Sequence, residues 1–156
     1  MVKVTLPNGD NFSYTIIYKE YDSLNGNIIA VFFGDTSVVA FKEGYYNGKP
    51  NGVFLYYYPN GNYRQTMVYG YGELHGDYTV YNDFGEVIKK GKYKDGLKQG
   101  YWRDLTLNLT GRYHKGERHL KWKLIDPHDK DSVYHWRYNK GQLRKGNIEK
   151  ANLLRL

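Results

Sequence analysis

A single pattern, Tyr-x-x-Gly-x-x-x-Gly-x-aromatic, recurs along the chain and constrains the fold more than any other feature. Its first copy is Tyr45, Gly48, Gly52 and Phe54, its second Tyr69, Gly72, Gly76 and Tyr78, and its third Tyr93, Gly96, Gly100 and Trp102. A fourth copy, Tyr113, Gly116, Leu120 and Trp122, lacks the second glycine, and a fifth begins at Tyr138 and Gly141 before it degrades. Internal repetition at 20 to 25 residues means units that cannot bury their own apolar faces and must stack on their neighbours. Turn signals lie between the motifs, at Pro59-Asn60-Gly61 and Asp83-Phe84-Gly85, and half a unit opens the chain at Pro7-Asn8-Gly9. Each unit therefore reads as one β-hairpin, with strands such as 53–58 with 63–69 and 77–81 with 86–93.

Composition agrees. Of 156 residues, 27 are aromatic (18 Tyr, 6 Phe, 3 Trp) and 18 are Gly, which favours short strands and tight turns over long helices. The expected fold is all-β: an elongated single-layer antiparallel sheet of successive β-hairpins. Ten to twelve strands at about 4.8 Å spacing would make a ribbon on the order of 50 to 60 Å long. The glycines of Gly-x-x-x-Gly are read as strand-to-strand turns and close backbone approaches, since Lys, Asn, Glu and His between them exclude a membrane helix interface. Phe54 and Tyr57 have opposite strand parity, so a bulge or strong twist must intervene if both are structural.

The motif closely resembles the MORN repeat, in its bacterial and viral variant. The likeness is fullest over residues 48–61, strong from about Gly44 to Trp102, partial from 103 to 141 and faint before 43. What it implies is a non-enzymatic hairpin-repeat scaffold that binds proteins or acidic lipids, with antitoxin-like or viral inhibitor-like roles among its relatives. The organisation expected is 1–43 as divergent N-terminal hairpins, 44–147 as the MORN-like array and 148–156 as a C-terminal cap or tail. Leu120 in place of a glycine, and a third unit without a glycine turn near 106–110, are the departures from the pattern.

The chain has no cysteine, which removes disulfides, zinc knuckles, iron–sulfur clusters and thiol catalysis. Residues 1–10 lack the order of a secretory signal, and the longest apolar stretch, 28–33, is too short to span a bilayer, so the expectation is an intracellular, cytoplasmic protein without a transmembrane segment. The Asn-x-Ser/Thr matches at Asn11 and Asn108 are read as chance. No cofactor and no metal are expected. His114, His119, His135 and Glu117 fit no ligand spacing, and His114 and His119 are expected on opposite strand faces. The segment 126–131 (Asp-Pro-His-Asp-Lys-Asp) is rich in oxygen ligands but lies where the fourth hairpin needs its loop, and reads as a solvated turn.

Charge supplies the functional signal. The chain carries +7 overall, but residues 1–78 hold five Lys/Arg against seven Asp/Glu, whereas 79–156 hold eighteen against nine. Such asymmetry points to an anionic partner for the C-terminal half. In strand 121–125, Lys121 and Lys123 alternate with Trp122 and Leu124, so one face is basic and the other buried. With hairpins stacked in register, Arg103, Arg112, Lys121, Lys123 and Arg137 form a basic ladder, beside which Tyr101 offers a planar contact. The leading expectation is a non-enzymatic scaffold that binds, and blocks or positions, an acidic protein. The alternative is anionic lipid or nucleic acid at the same surface. A third reading, an enzyme built on the residues 114–119, has less behind it. Were the ladder only a solvated face, the tyrosine-rich first half around Tyr56, Tyr58 and Tyr63 would be the surface to consider.

Overall fold

The computed structural model describes residues 2–5, 11–22, 25–32 and 34–146, the first two stretches and residues 35 and 36 as backbone alone. It contains no helix among those residues. Fourteen strands follow one another: β1 (Val2–Thr5), β2 (Asn11–Asp22), β3 (Asn25–Phe32), β4 (Asp35–Tyr46), β5 (Lys49–Pro50), β6 (Gly52–Tyr57), β7 (Tyr63–Gly70), β8 (Glu73–Tyr81), β9 (Val87–Lys94), β10 (Leu97–Asp104), β11 (Leu109–His114), β12 (Glu117–Ile125), β13 (Val133–Asn139) and β14 (Gln142–Lys145). They form one open antiparallel sheet whose spatial order is the chain order, with the two-residue β5 set aside against β4. The hairpin array expected from the repeats is the fold. The strand number exceeds ten to twelve because the faintly repetitive N-terminal region supplies four strands, β1 to β4, and β5 adds a short one. The 148–156 tail lies outside the described residues.

Two turns alternate along the sheet. At the first motif glycine the chain reverses through two residues: Asn47-Gly48, Tyr71-Gly72, Asp95-Gly96, Lys115-Gly116 and Lys140-Gly141 all have positive φ, the type I′ pattern that matches strand twist. The reversals between motifs use a wider loop. The N–H of Gly61 donates to the Tyr58 carbonyl (2.9 Å) and that of Gly85 to the Asn82 carbonyl (3.0 Å), each glycine with φ near 85°. The third unit, which has no glycine there, places Asn108 at φ 49° and donates from its N–H to the Leu105 carbonyl (3.2 Å). Asparagine tolerates this conformation, so the turn survives the substitution. The loop between β12 and β13 is the turn expected at 126–131, closed by the Asp126 N–H to the Ser132 carbonyl (3.0 Å).

The second motif glycine does not turn the chain, contrary to expectation. Gly76 and Gly100 lie within β8 and β10, and Leu120 takes the same place in β12. At each, the strand carries two residues more than its partner: Gln99 pairs with Lys92 but Arg103 with Lys90, and Gly111 pairs with Trp122 but Arg112 with His119. These are bulges of two extra residues, and positive φ marks them (Gly76 117°, Gly100 70°, Leu120 57°). A further bulge lies beside Tyr56 and Tyr57 on β7, where Arg64 is the extra residue; it pairs Tyr63 with Tyr57 and leaves Tyr57 on the face opposite Phe54.

One face of the sheet carries the core. Register places Phe54, Met67, Tyr78 and Gly91 in line across β6 to β9, and Trp102, Gly111, Trp122 and Trp136 in line across β10 to β13. All three tryptophans are buried although no second layer among the described residues covers them. Each indole instead lies on its neighbouring strand, and motif tyrosines close over its edges: Tyr93 meets Trp102 at 5.1 Å and 86°, and Tyr113 meets Trp122 at 4.9 Å and 87°. Edge-to-face pairs of this kind contribute on the order of 1 kcal/mol beyond area burial. Cations cap the stack, Lys98 over Trp102 (4.8 Å) and Tyr113 (5.0 Å), Arg118 over Trp122 (5.1 Å) and Tyr138 (5.6 Å). Their aliphatic stems and charged heads do the covering that a helix layer does in other sheets.

Candidate functional site

Because cross-strand partners share a face, register decides which side chains meet. The face opposite the tryptophans collects all six residues singled out in the sequence. Tyr101 pairs directly with Arg112 across β10 and β11, and Arg103 pairs with Thr110 on one side and Lys90 on the other. On β12, Lys121 pairs with Arg137 and Lys123 with His135, while Lys123 also pairs with Thr110 of β11. Arg137 in turn opposes Lys145 of β14. Tyr101, Arg103, Arg112, Lys121, Lys123 and Arg137 are all exposed, Tyr101 at 56%.

Two rows result, each running across the strands at about 4.8 Å per step. One is Lys90, Arg103, Thr110, Lys123 and His135; the other is interrupted at the β12 bulge, with Tyr101, Arg112 and His119 in line on one side of it and Lys121, Arg137 and Lys145 on the other. Lys90, Lys92 and Lys145 belong to this surface and were not in the ladder read from the sequence. Parity would have found them: Lys89 and Lys90 are adjacent, but Lys89 turns to the aromatic face and meets Asp104 at 2.8 Å, while Lys90 faces the other way. Lys92 is partly neutralised by Asp77 at 3.1 Å. Among the described residues no carboxylate lies within ion-pair distance of Arg103, Arg112, Lys121, Lys123 or Arg137.

The histidines require a correction. His114 and His119 occupy the same face, not opposite ones, with ring centroids 5.6 Å apart. The type I′ turn at Lys115-Gly116 pairs His114 with Glu117, so 119, two residues on, shares the side of 114. They border the basic rows with His119 opposite Arg112. Among the described residues no group of three His, Asp or Glu side chains is placed to hold a metal.

The tyrosines of the first half do not make one surface. Tyr56 lies on the aromatic face and donates to Glu43 Oε1 at 2.5 Å, a carboxylate that also accepts from Tyr45 at 2.8 Å. Burial, then the bond to Glu43, push the Tyr56 phenol well above its ordinary range. Tyr63 stacks on Tyr57 (5.1 Å) and tilts against Tyr81 (6.0 Å) on the opposite face, and Tyr58 is tied down by its hydroxyl donating to the Tyr81 carbonyl at 2.9 Å. Among the described residues there is no helix long and apolar enough to cross a membrane. No family model matches the chain, and no curated protein is significantly similar to it.

Proposed function

We propose that the chain is a non-enzymatic hairpin-repeat scaffold, of the MORN-like kind its motif resembles, which works in the cytoplasm by docking its basic sheet face on an acidic protein that it blocks or positions. The observation that carries this reading is the set of exposed cations that register gathers on one face around the Tyr101–Arg112 pair, with no carboxylate within ion-pair distance of Arg103, Arg112, Lys121, Lys123 or Arg137 among the described residues. Uncompensated like charges on neighbouring strands cost the free protein stability, and an anionic partner removes that cost. Tyrosine and arginine side by side on a flat face are also the residue types that dominate protein interfaces.

The test is a pull-down from host lysate, with and without nuclease, using the parent protein and Lys121→Glu/Lys123→Glu. Both lysines are exposed, so the variant is expected to fold with a stability within about 1 kcal/mol of the parent. Its capture of the partner should fall at least tenfold, and the captured partner should be an acidic protein that survives nuclease. Loss of binding on nuclease treatment, or a steep decline with salt on any polyanion or anionic vesicle alike, would assign the face to nucleic acid or lipid instead. Equal capture by parent and variant would overturn the reading.

A further inference from the structure

We infer that Asn47-Gly48, in the turn between β4 and β5, is a site of spontaneous deamidation, where the side-chain amide converts to aspartate and isoaspartate. The site is independent of the docking face and of any partner. Five Asn-Gly steps occur in the sequence, at Asn8, Asn25, Asn47, Asn51 and Asn60, and the first lies outside the described residues. Glycine makes such steps reactive because the missing Cβ leaves its backbone nitrogen open to approach. The sequence makes them equivalent, and the fold does not.

The reaction joins two groups, and a hydrogen bond on either holds it back. The glycine nitrogen loses its proton to solvent base and attacks the asparagine Cγ. The new N–C bond closes a succinimide ring, the bond from Cγ to the side-chain nitrogen breaks, and that nitrogen leaves as ammonia with a proton returned from solvent. Water then opens the ring at either carbonyl, which gives aspartate or isoaspartate.

Three of the four described steps are tied at the side chain, and their glycines lie in paired strands or a closed turn. Asn25 Oδ1 accepts from the Asn47 N–H (2.9 Å), and Gly26 lies in β3 between Tyr21 and Tyr45. Asn51 Oδ1 accepts from the Tyr71 N–H (3.3 Å), and Gly52 pairs with Tyr69. Asn60 donates to the Asp83 carbonyl (2.7 Å) and accepts from the Asn62 N–H (3.0 Å), while the Gly61 N–H donates to the Tyr58 carbonyl (2.9 Å). At Asn47-Gly48 both groups are exposed and untied: among the described residues the Asn47 side chain makes no hydrogen bond and the Gly48 N–H meets no acceptor. The repeat itself sets this turn apart. In the four later type I′ turns the N–H of Gly72, Gly96, Gly116 or Gly141 donates to a carbonyl of the preceding hairpin at 2.8 to 3.0 Å. Isoaspartate at 47 adds a methylene to the backbone of a two-residue turn that Tyr46 and Lys49 close. Because the Pro50 carbonyl just beyond it accepts from the Gly72 N–H (2.8 Å), the damage reaches the next hairpin.

The test incubates the full chain at mildly alkaline pH, folded and in urea, and follows each asparagine by peptide mass spectrometry with fragmentation that separates aspartate from isoaspartate. In the folded protein Asn47 should convert about tenfold faster than Asn25, Asn51 or Asn60, the factor expected from the one or two hydrogen bonds that those sites must break first. In urea the four should convert at similar rates. Asn47→Gly, which suits a type I′ turn, should remove the fast component and leave the slow ones unchanged. A folded Asn47 no faster than the other three, or a difference among the four that persists in urea, would overturn the assignment. Both comparisons use the parent protein, so they decide the matter even where the variant fails to fold.

Discussion

Trp122 lies flat on Gly111, the residue directly opposite it on β11, and its indole N–H donates to the carbonyl of the next residue, Arg112, at 3.1 Å. A Cβ on Gly111 would stand 2.1 Å from the indole Cδ2, and one on Gly91 would stand 2.1 Å from the same atom of Trp102. The bare backbone of a neighbouring strand is thus the second wall of a core over which the described residues place no second layer. Gly111→Ala and Gly91→Ala must each lift an indole off the sheet, and a loss of about 3 kcal/mol is expected in urea denaturation, at the upper end for overpacked sites. Gly70→Ala is the control, because its nearest neighbour, His75 Cβ, lies at an ordinary 3.5 Å; it should change stability by less than about 0.5 kcal/mol. Similar losses at Gly70 and Gly111 would show that loss of glycine, rather than contact with the indole, is responsible.

Adjacent residues 101 and 102 divide the two faces between them. Trp102 is 5% exposed and Tyr101 is 56% exposed. Trp102→Ala should cost roughly 3 to 5 kcal/mol, since it removes a large buried aromatic together with its contacts to Tyr78, Tyr93 and Tyr113. Tyr101→Ala should cost under about 1 kcal/mol and act on partner capture instead. Equal melting temperatures for the two variants would contradict the face assignment.

Leu120 holds a backbone conformation that leucine avoids. Its φ is 57° at the bulge where Gly100, its counterpart one motif earlier, has 70°. Left-handed backbone costs a residue with a Cβ roughly 1 to 2 kcal/mol, while glycine in a strand costs about 0.5 to 1 in chain entropy. The two nearly offset, and Leu120 is 40% exposed, so little burial is given up. Leu120→Gly should therefore fall within about 0.5 kcal/mol of the parent, and Gly100→Leu, where a Cβ would meet nothing within 4 Å, should by the same offset lose no more than about 1. A loss of 2 kcal/mol or more on Leu120→Gly would mean that the side chain, not the bulge, is what matters there.

These residues also mark how far the sequence could be read. The repeat spacing identifies the hairpins because a two-residue turn needs positive φ at fixed positions, and glycine at the second of them is a local requirement. The second motif glycine is ambiguous for the same reason: a turn and a bulge both need that conformation, and only the pairing on either side of Gly100 separates them. The contact of Trp102 with Gly91 and of Trp122 with Gly111 recurs at eleven residues, a visible spacing whose meaning depends on register across two strands. The basic ladder was legible from the alternation of Lys121, Trp122 and Lys123, since parity within a single strand needs no register. His114 and His119 were misplaced because parity counted straight through a turn ignores the reversal that the turn imposes.

The tyrosines make stability depend on alkaline pH, and the direction follows from which form is buried. Tyr56, Tyr57, Tyr78 and Tyr93 all titrate above their ordinary value of 10.0 in the folded chain, burial being the largest cause in each, with Glu43 adding to it at Tyr56 and Tyr63 at Tyr57. Below pH 10 both folded and unfolded chains hold these protons, and their contribution to stability is fully present. Above it the unfolded chain releases protons that the folded chain keeps, so the unfolded state binds fewer and stability falls as pH rises toward the folded values. The urea midpoint should be nearly level from pH 7 to about 9.5 and decline beyond about 10. Tyrosinate absorbance should show these four of the 18 tyrosines ionising at higher pH in the folded chain than in the unfolded one. Tyr78→Phe, which keeps the ring against Tyr93 and Trp102, should shift the decline to higher pH. Tyr56→Phe should do so as well, while losing about 1.5 to 3 kcal/mol at neutral pH with the hydrogen bond to Glu43. Ionisation of all 18 tyrosines in one step near pH 10, with the sheet still intact by circular dichroism, would refute the linkage.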